Sequence, residues 1–239
     1  MSVFHQATVA CGKCGTANDV DLAASVNADR RPDLRSAILD GSFQALKCEK
    51  CGTALRLPAH LTYLDTGRGQ WIVVDSFAAL PNWKHAEAEA QDAYDVTFGL
   101  DAPDASREIG EGLTPRLVFG WPALREKLIA GDLGLDDITL ELLKMSVMAT
   151  VSGPPVADET ELRLVGGDKA TLRFAWFVSA SEQQIATLKV PRGTYDDIVD
   201  DADDWDAMRA DLAGHLFVDA KRLLSGTGTA PAAAALLAS

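Results

Sequence analysis

Polar and apolar residues alternate along 19–26 (Asp19-Val20-Asp21-Leu22-Ala23-Ala24-Ser25-Val26), the period of a strand with one buried face. Residues 3–10 read as the strand before it. Pro32 opens a short helix over Asp33–Asp40, because its fixed φ is already helical, and Gly41 supplies the stop. Residues 43–47 and 53–57 read as segments leading into and out of a turn. Tyr63–Asp65 and Trp71–Val74 flank Thr66-Gly67-Arg68-Gly69, a hairpin signal. Over 82–97 the period changes: Asn82 is a cap, and Glu, Ala and Gln fill the body of a helix.

Residues 99–115 contain Gly99, Gly110-Glu111-Gly112, Pro103 and Pro115, and are the best boundary candidate. Beyond them, 116–119 reads as a short strand, and Trp121–Ala130 and Asp136–Thr150 as helices. In the second helix Ile138, Leu142, Met145 and Ala149 recur on one face. Ser152-Gly153-Pro154-Pro155 breaks the chain. Glu161–Val165 and Lys169–Val178 flank Gly166-Gly167-Asp168, a tight antiparallel hairpin, and Gln184–Val190 adds a third strand. Residues 194–213 are helical and acidic. His215–Leu224 fits a strand or a helix. The expected fold class is α+β: a first domain over 1–98, a linker over 99–115, a helix-plus-antiparallel-sheet domain over 116–224, and a loose Ala-rich tail over 225–239.

Composition narrows the function classes. At 47% hydrophobic, the 239 residues suffice for a sizeable core in one or two domains. No run approaches the roughly 18–20 apolar residues of a membrane helix. The start, Met1 to Cys14, has no charged stretch followed by an apolar one, so no secretory signal is expected. Net charge is −13. Residues 1–98 hold twelve acids and nine bases (−3), leaving 23 acids and 13 bases (−10) in 99–239. Such a chain repels phosphate backbones, which makes nucleic acid a poor default partner.

The four cysteines form two close pairs, Cys11-Gly12-Lys13-Cys14-Gly15 and Cys48-Glu49-Lys50-Cys51-Gly52. Two intervening residues let one tight turn aim both sulfurs at a single ion, and two such turns close a tetrahedral thiolate shell. Gly15 and Gly52 take positive φ without a Cβ clash, so the chain curls back past the sulfurs and presents amide donors to them. This pattern predicts one structural Zn²⁺ per chain, held by Cys11, Cys14, Cys48 and Cys51, in a reducing, cytoplasmic setting. A closed shell leaves no position for water or substrate, so the zinc would act in folding rather than catalysis. A thioredoxin-like dithiol would need Cys14 at a helix start, whereas Gly15-Thr16-Ala17-Asn18 and alternating strand residues follow it.

These residues resemble the bacterial CpXC-domain family. The resemblance runs from Val9 to about Asp75 through Cys11–Cys14, Val26-Asn27, Pro32-Asp33-Leu34-Arg35-Ser36-Ala37-Ile38-Leu39, Gly41, Cys48–Cys51 and Tyr63-Leu64-Asp65. A weaker likeness continues through Arg116–Gly120, Leu135–Ile138 and Leu142–Lys144. It implies a zinc-binding domain elaborated from a zinc ribbon and supplies no reaction. The family name implies Pro after the first cysteine of each pair, where this chain has Gly12 and Glu49. Proline binds no metal, so the ligand assignment is unaffected.

Other features carry less. His5, His60, His85 and His215 form no metal or catalytic unit, and no nucleophile-elbow or phosphate-loop motif occurs. Eight aspartates between Asp196 and Asp211 fit no calcium-loop frame and read as a solvated helix face. Trp205, among them, is a candidate exposed contact. Arg30, Arg31 and Arg35, with Lys13, Lys47 and Lys50, are a candidate basic face near the knuckles, although aromatic stacking residues are sparse. The leading expectation is a non-enzymatic interaction or adaptor protein whose partner is another protein. The alternatives are a nucleic-acid-binding regulator using the Arg30–Arg35 face, and an enzyme without a recognisable motif.

Overall fold

The computed structural model describes residues 1–150 and 160–225. The chain divides into two compact units, Met1–Leu124 and Arg125–Ser239.

In the first unit β1 (Val3–Ala10) and β2 (Ala17–Asn27) form an antiparallel hairpin with the first cysteine turn at its tip. α1 (Pro32–Asp40) starts on Pro32 and stops at Gly41, whose φ of 81° lets its N–H reach the Ile38 carbonyl. β3 (Ala45–Lys47) and β4 (Ala54–Arg56) form a second, smaller hairpin around the second cysteine turn. β5 (Leu61–Asp65) and β6 (Gln70–Asp75) pair antiparallel, as the Thr66–Gly69 hairpin signal predicts. α2 (Trp83–Phe98), α3 (Asp104–Glu111) and β7 (Thr114–Phe119) follow. The main sheet has the order β1-β2-β5-β6-β7. Its β2–β5 and β6–β7 pairs are parallel, because each connection is a crossover, one carrying α1 and the second knuckle, the other carrying α2 and α3.

Buried Asp65 ties this unit together. It accepts from the Tyr63 hydroxyl at 3.1 Å, pairs with Arg68 at 3.1 Å, and pairs with Arg35 of α1 at 3.5 Å.

The expected linker at 99–115 is corrected by the structure. It contains α3 and the first residues of β7, which runs beside β6 in register from Gln70↔Thr114 to Asp75↔Phe119. Its glycines serve close contacts instead of flexibility. A Cβ at Gly99 would lie 2.4 Å from the Asp95 carbonyl oxygen, and one at Gly110 would lie 2.6 Å from Phe98 Cβ. Pro103 sits at the N-cap of α3. The strand expected at 116–119 therefore belongs to the first unit, and the division falls after Leu124 rather than within 99–115.

α4 (Trp121–Asp132) spans that division, and α5 (Asp137–Thr150) follows in the second unit. β8 (Thr160–Gly167), β9 (Thr171–Val178) and β10 (Gln183–Pro191) form an antiparallel sheet of order β10-β9-β8. α6 (Arg192–Asp200), α7 (Ala202–Ala213) and α8 (Ala220–Ser225) complete the unit. Its core gathers Leu140, Leu142 and Leu143 of α5 with Leu164, Leu172 and Phe174 of the sheet. Two expectations change here and one open alternative is resolved. The helix expected over 194–213 is two helices broken at Asp201. The choice left open at 215–224 falls to a helix, α8, over its second half. And α5 is buried all round at Thr139–Lys144 instead of along one face, which encloses Glu141 and Lys144. The break at Ser152–Pro155 and the Ala-rich tail after Ser225 lie outside the described residues.

Candidate metal centre

The two cysteine turns are built alike. Cys11 N–H donates to the Thr16 carbonyl and Gly15 N–H to the Cys11 carbonyl, both at 2.8 Å. Cys48 N–H donates to the Thr53 carbonyl at 2.8 Å, and Gly52 N–H to the Cys48 carbonyl at 2.9 Å. Gly15 and Gly52 have φ of 70° and 68°. A Cβ at either would meet nothing within 4 Å, so glycine is needed for the left-handed backbone and not for space.

One buried side chain bridges the turns. Asn18 donates to the Thr16 carbonyl at 2.8 Å and to the Val9 carbonyl at 3.3 Å, and accepts from Glu49 N–H at 3.0 Å. Sequence reasoning missed this residue. Its signal was phase: Asn18 shares the inward face of β2 with Val20, where an apolar residue is expected.

The four sulfurs all lie within 4.8 Å of one another. Cys11 and Cys51 Sγ are 3.7 Å apart, and Cys14 and Cys48 Sγ 3.6 Å. Zn–S bonds of about 2.3 Å in a tetrahedron require S···S edges of about 3.8 Å. The donor set and its spacing therefore fit one tetrahedral ion such as zinc, and all four cysteines are free thiols. The surroundings favour thiolates unevenly. N–H groups of Cys51 and Lys50 hold the Cys48 thiol below its ordinary value against burial. The Thr53 hydroxyl, then the Thr53 N–H, bring Cys51 down to about 6. Amides of Cys14 and Lys13 pull Cys11 down, yet burial and the neighbouring thiols leave it raised. Thr16 Oγ1 lies 3.3 Å from Cys14 Sγ, and Thr53 Oγ1 3.2 Å from Cys51 Sγ. The repeated Cys-x-x-Cys-Gly-Thr thus carries a hydroxyl beside each second sulfur, a pair of residues the spacing argument overlooked.

A family model described as CpXC protein matches residues 9–144. The chain belongs to the CpXC family. No curated protein and no solved structure matches it. In this CpXC protein Gly12 and Glu49 replace the prolines of the family name, and both turns close without them.

The CpXC match reaches into a second cluster that sequence reasoning did not find. In the second unit, Glu126 of α4 accepts from Lys144 Nζ and Arg163 Nη1, each at 2.9 Å, and from Leu164 N–H at 2.7 Å. Glu141 accepts from Ala220 N–H at 2.7 Å and pairs with Lys144 at 2.7 Å. Arg163 also pairs with Glu161 at 2.6 Å and Asp219 at 2.7 Å, while Lys127 bridges Asp137 and the Val218 carbonyl, both at 2.9 Å. All of these except Asp137 are more than nine-tenths buried. Burial raises Glu126, but Lys144 and Arg163 outweigh it and its pKa is lowered. Asp219 is held well below the ordinary carboxylate range, because Arg163 and Lys144 outweigh burial there too. Glu141 differs: burial pushes it up to about 7, and the negative Asp219 and Glu126 add to that against Lys144. Among the described residues the cysteine quartet is the one group that could hold a metal ion.

The other sequence candidates disperse. Arg31 pairs with Asp33 at 2.6 Å, and Arg35 is drawn inward to Asp65, so the expected basic face is reduced chiefly to exposed Arg30 and the knuckle lysines. Trp205 is partly buried against the core of the second unit, a correction to its reading as an exposed contact. The acidic run is distributed over α6 and α7 and forms no cation-binding group among the described residues. No helix among the described residues is long and apolar enough to cross a membrane.

Proposed function

We propose that this CpXC protein is a non-catalytic interaction protein of the reducing cytoplasm. One structural zinc ion, bound by Cys11, Cys14, Cys48 and Cys51, locks its two knuckles into a single binding surface. The observation that carries the reading is the convergence of four sulfurs, 34 to 40 residues apart across the two turns, on edges of 3.6 and 3.7 Å. Four thiolates occupy every position of a tetrahedral ion, so the metal has no place for a substrate and its binding energy goes into folding. Pairing of Arg31 and Arg35 with carboxylates, on a chain of net charge −13, favours a protein partner over nucleic acid.

The test is affinity capture from native cells with the intact chain and with Cys48→Ser. The reading expects a defined partner retained at fixed stoichiometry by the intact chain and lost from the variant. Capture of no specific partner, or equal capture by the unfolded-knuckle variant, would contradict it.

A further inference from the structure

α2 and α3 meet at a corner held by aromatic side chains of α2. Tyr94 and Phe98 pack with ring centroids 5.2 Å apart and planes tilted by 49°, and the Tyr94 hydroxyl donates to the Gly110 carbonyl at 2.8 Å. Gly110 lets α3 sit directly on Phe98. The two helices thereby leave an open groove of about 650 Å³ with Tyr94, Phe98 and Leu100 in its lining and Asp104, Glu108 and Glu111 among its polar residues.

Two features point to an occupant. Leu100, in the groove's lining, is 90% exposed, and Phe98 beside it is only partly buried. Removing apolar surface from water is favourable, so this side chain gains from a cover. The charge around it is one-sided. Its lining carries Asp104, Glu108 and Glu111 against the single base Arg107, which already pairs with Asp104. Glu108 and Glu111 make no side-chain hydrogen bond or ion pair among the described residues. A second copy meeting the groove through this same face would set acids against acids, and phosphate-bearing surfaces are repelled for the same reason.

We propose that this groove docks a cationic amphipathic helix of a partner protein, with one apolar side chain seated against Phe98 and Leu100 and Lys or Arg side chains meeting Glu108 and Glu111. The proposal rests on the reading of the chain as an interaction protein. It names the surface and the chemistry of the partner.

The test uses the full chain as purified and a fluorescein-labelled 14-residue Leu/Lys peptide of helical amphipathic pattern, read by anisotropy. Controls are a peptide of the same composition with its leucines spread evenly, and a Leu/Glu amphipathic peptide. The proposal expects saturable binding of the Leu/Lys helix alone. Leu100→Asp weakens it about tenfold even though it adds a negative charge, as loss of an apolar anchor does. Glu108→Lys with Glu111→Lys weakens it by about tenfold and flattens its salt dependence. Equal binding by the evenly spread peptide, or by Leu100→Asp, reduces the effect to bulk charge and overturns the proposal, as does absence of binding. If the peptide fails while cellular capture persists unchanged in Leu100→Asp, the groove is wrong and the interaction reading stands. If the peptide binds as expected while capture from cells finds no partner, the groove stands and the wider reading fails.

Discussion

Each unit concentrates ionisable side chains at one point, and the two do so on opposite terms. The cysteine quartet gathers four like groups that could hold a metal ion, and as thiolates they would repel one another unless a cation from outside the chain compensated them. The cluster around Glu126, Glu141, Lys144 and Arg163 gathers opposite charges that compensate one another from within the chain. On the proposed reading the first depends on metal supply. The second depends on every partner being present, because charges this deeply buried are tolerable only when paired and hydrogen-bonded. A chelator and a point substitution should therefore separate the two units cleanly.

The largest expected effect lies in the first unit. Cys48→Ser opens the metal shell and removes most of the folding free energy that metal binding supplies, on the order of 10 kcal/mol for structural zinc sites. Hydrogen exchange should show loss of protection through β1–β4, with α5 and β8–β10 unaffected; a chelator should reproduce that pattern on the unmodified chain. Equal loss in both units would break the comparison.

Next comes Lys144→Met, which leaves Glu126 and Glu141 buried without their shared cation. It should destabilise the second unit by about 3–5 kcal/mol in denaturant unfolding and be indifferent to chelators. Chelator sensitivity appearing in that variant would contradict the division.

Glu141 gives a smaller and pH-dependent effect. Its pKa rises from an ordinary 4.5 to about 7 in the folded chain. Between those values the folded state holds a proton that the unfolded state releases. Its contribution is therefore fully present below about pH 4.5 and is lost as pH rises through about 7. The gain is on the order of 3 kcal/mol at most. Glu126 and Asp219, both lowered, act in the opposite sense and lose their contribution as pH falls through their folded values. The melting temperature of the second unit should rise as pH is lowered from 8 to about 6. Glu141→Gln should abolish that rise, and an unchanged profile in the variant would remove Glu141 as its source.

The smallest effect is Gly52→Ala. Nothing crowds the position, so the cost is the left-handed backbone alone, about 1–2 kcal/mol. Zinc stoichiometry should be unchanged, which denaturant unfolding beside metal analysis would verify.

The same contrast explains what the amino-acid sequence made legible. The cysteine turns are local: Cys-x-x-Cys-Gly is written within five residues, and Pro32 and Gly41 mark α1 within ten. The α+β class and nearly all the strands followed from such short-range patterns. The buried charge cluster is long-range. Glu141 meets the Ala220 amide 79 residues away, and Glu126 meets Arg163 across 37. In sequence, Glu141 and Lys144 look like the polar face of an amphipathic helix, and only tertiary enclosure of α5 makes them core. The misplaced boundary has a similar cause. Gly99 and Gly110 read as linker residues, but their role is to let backbone and ring approach, which no local pattern separates from flexibility. Arg35 looked like part of a surface because its partner, Asp65, lies 30 positions on and in the sheet.

The central claim is that four sulfurs complete the coordination of one zinc ion. Native mass spectrometry of the purified chain, combined with elemental analysis, tests it most directly. The account predicts one zinc per chain, with all four thiols silent to a thiol reagent until a chelator is added. A metal-free chain whose cysteines react at once, or a zinc bound with fewer than four thiols protected, would contradict it.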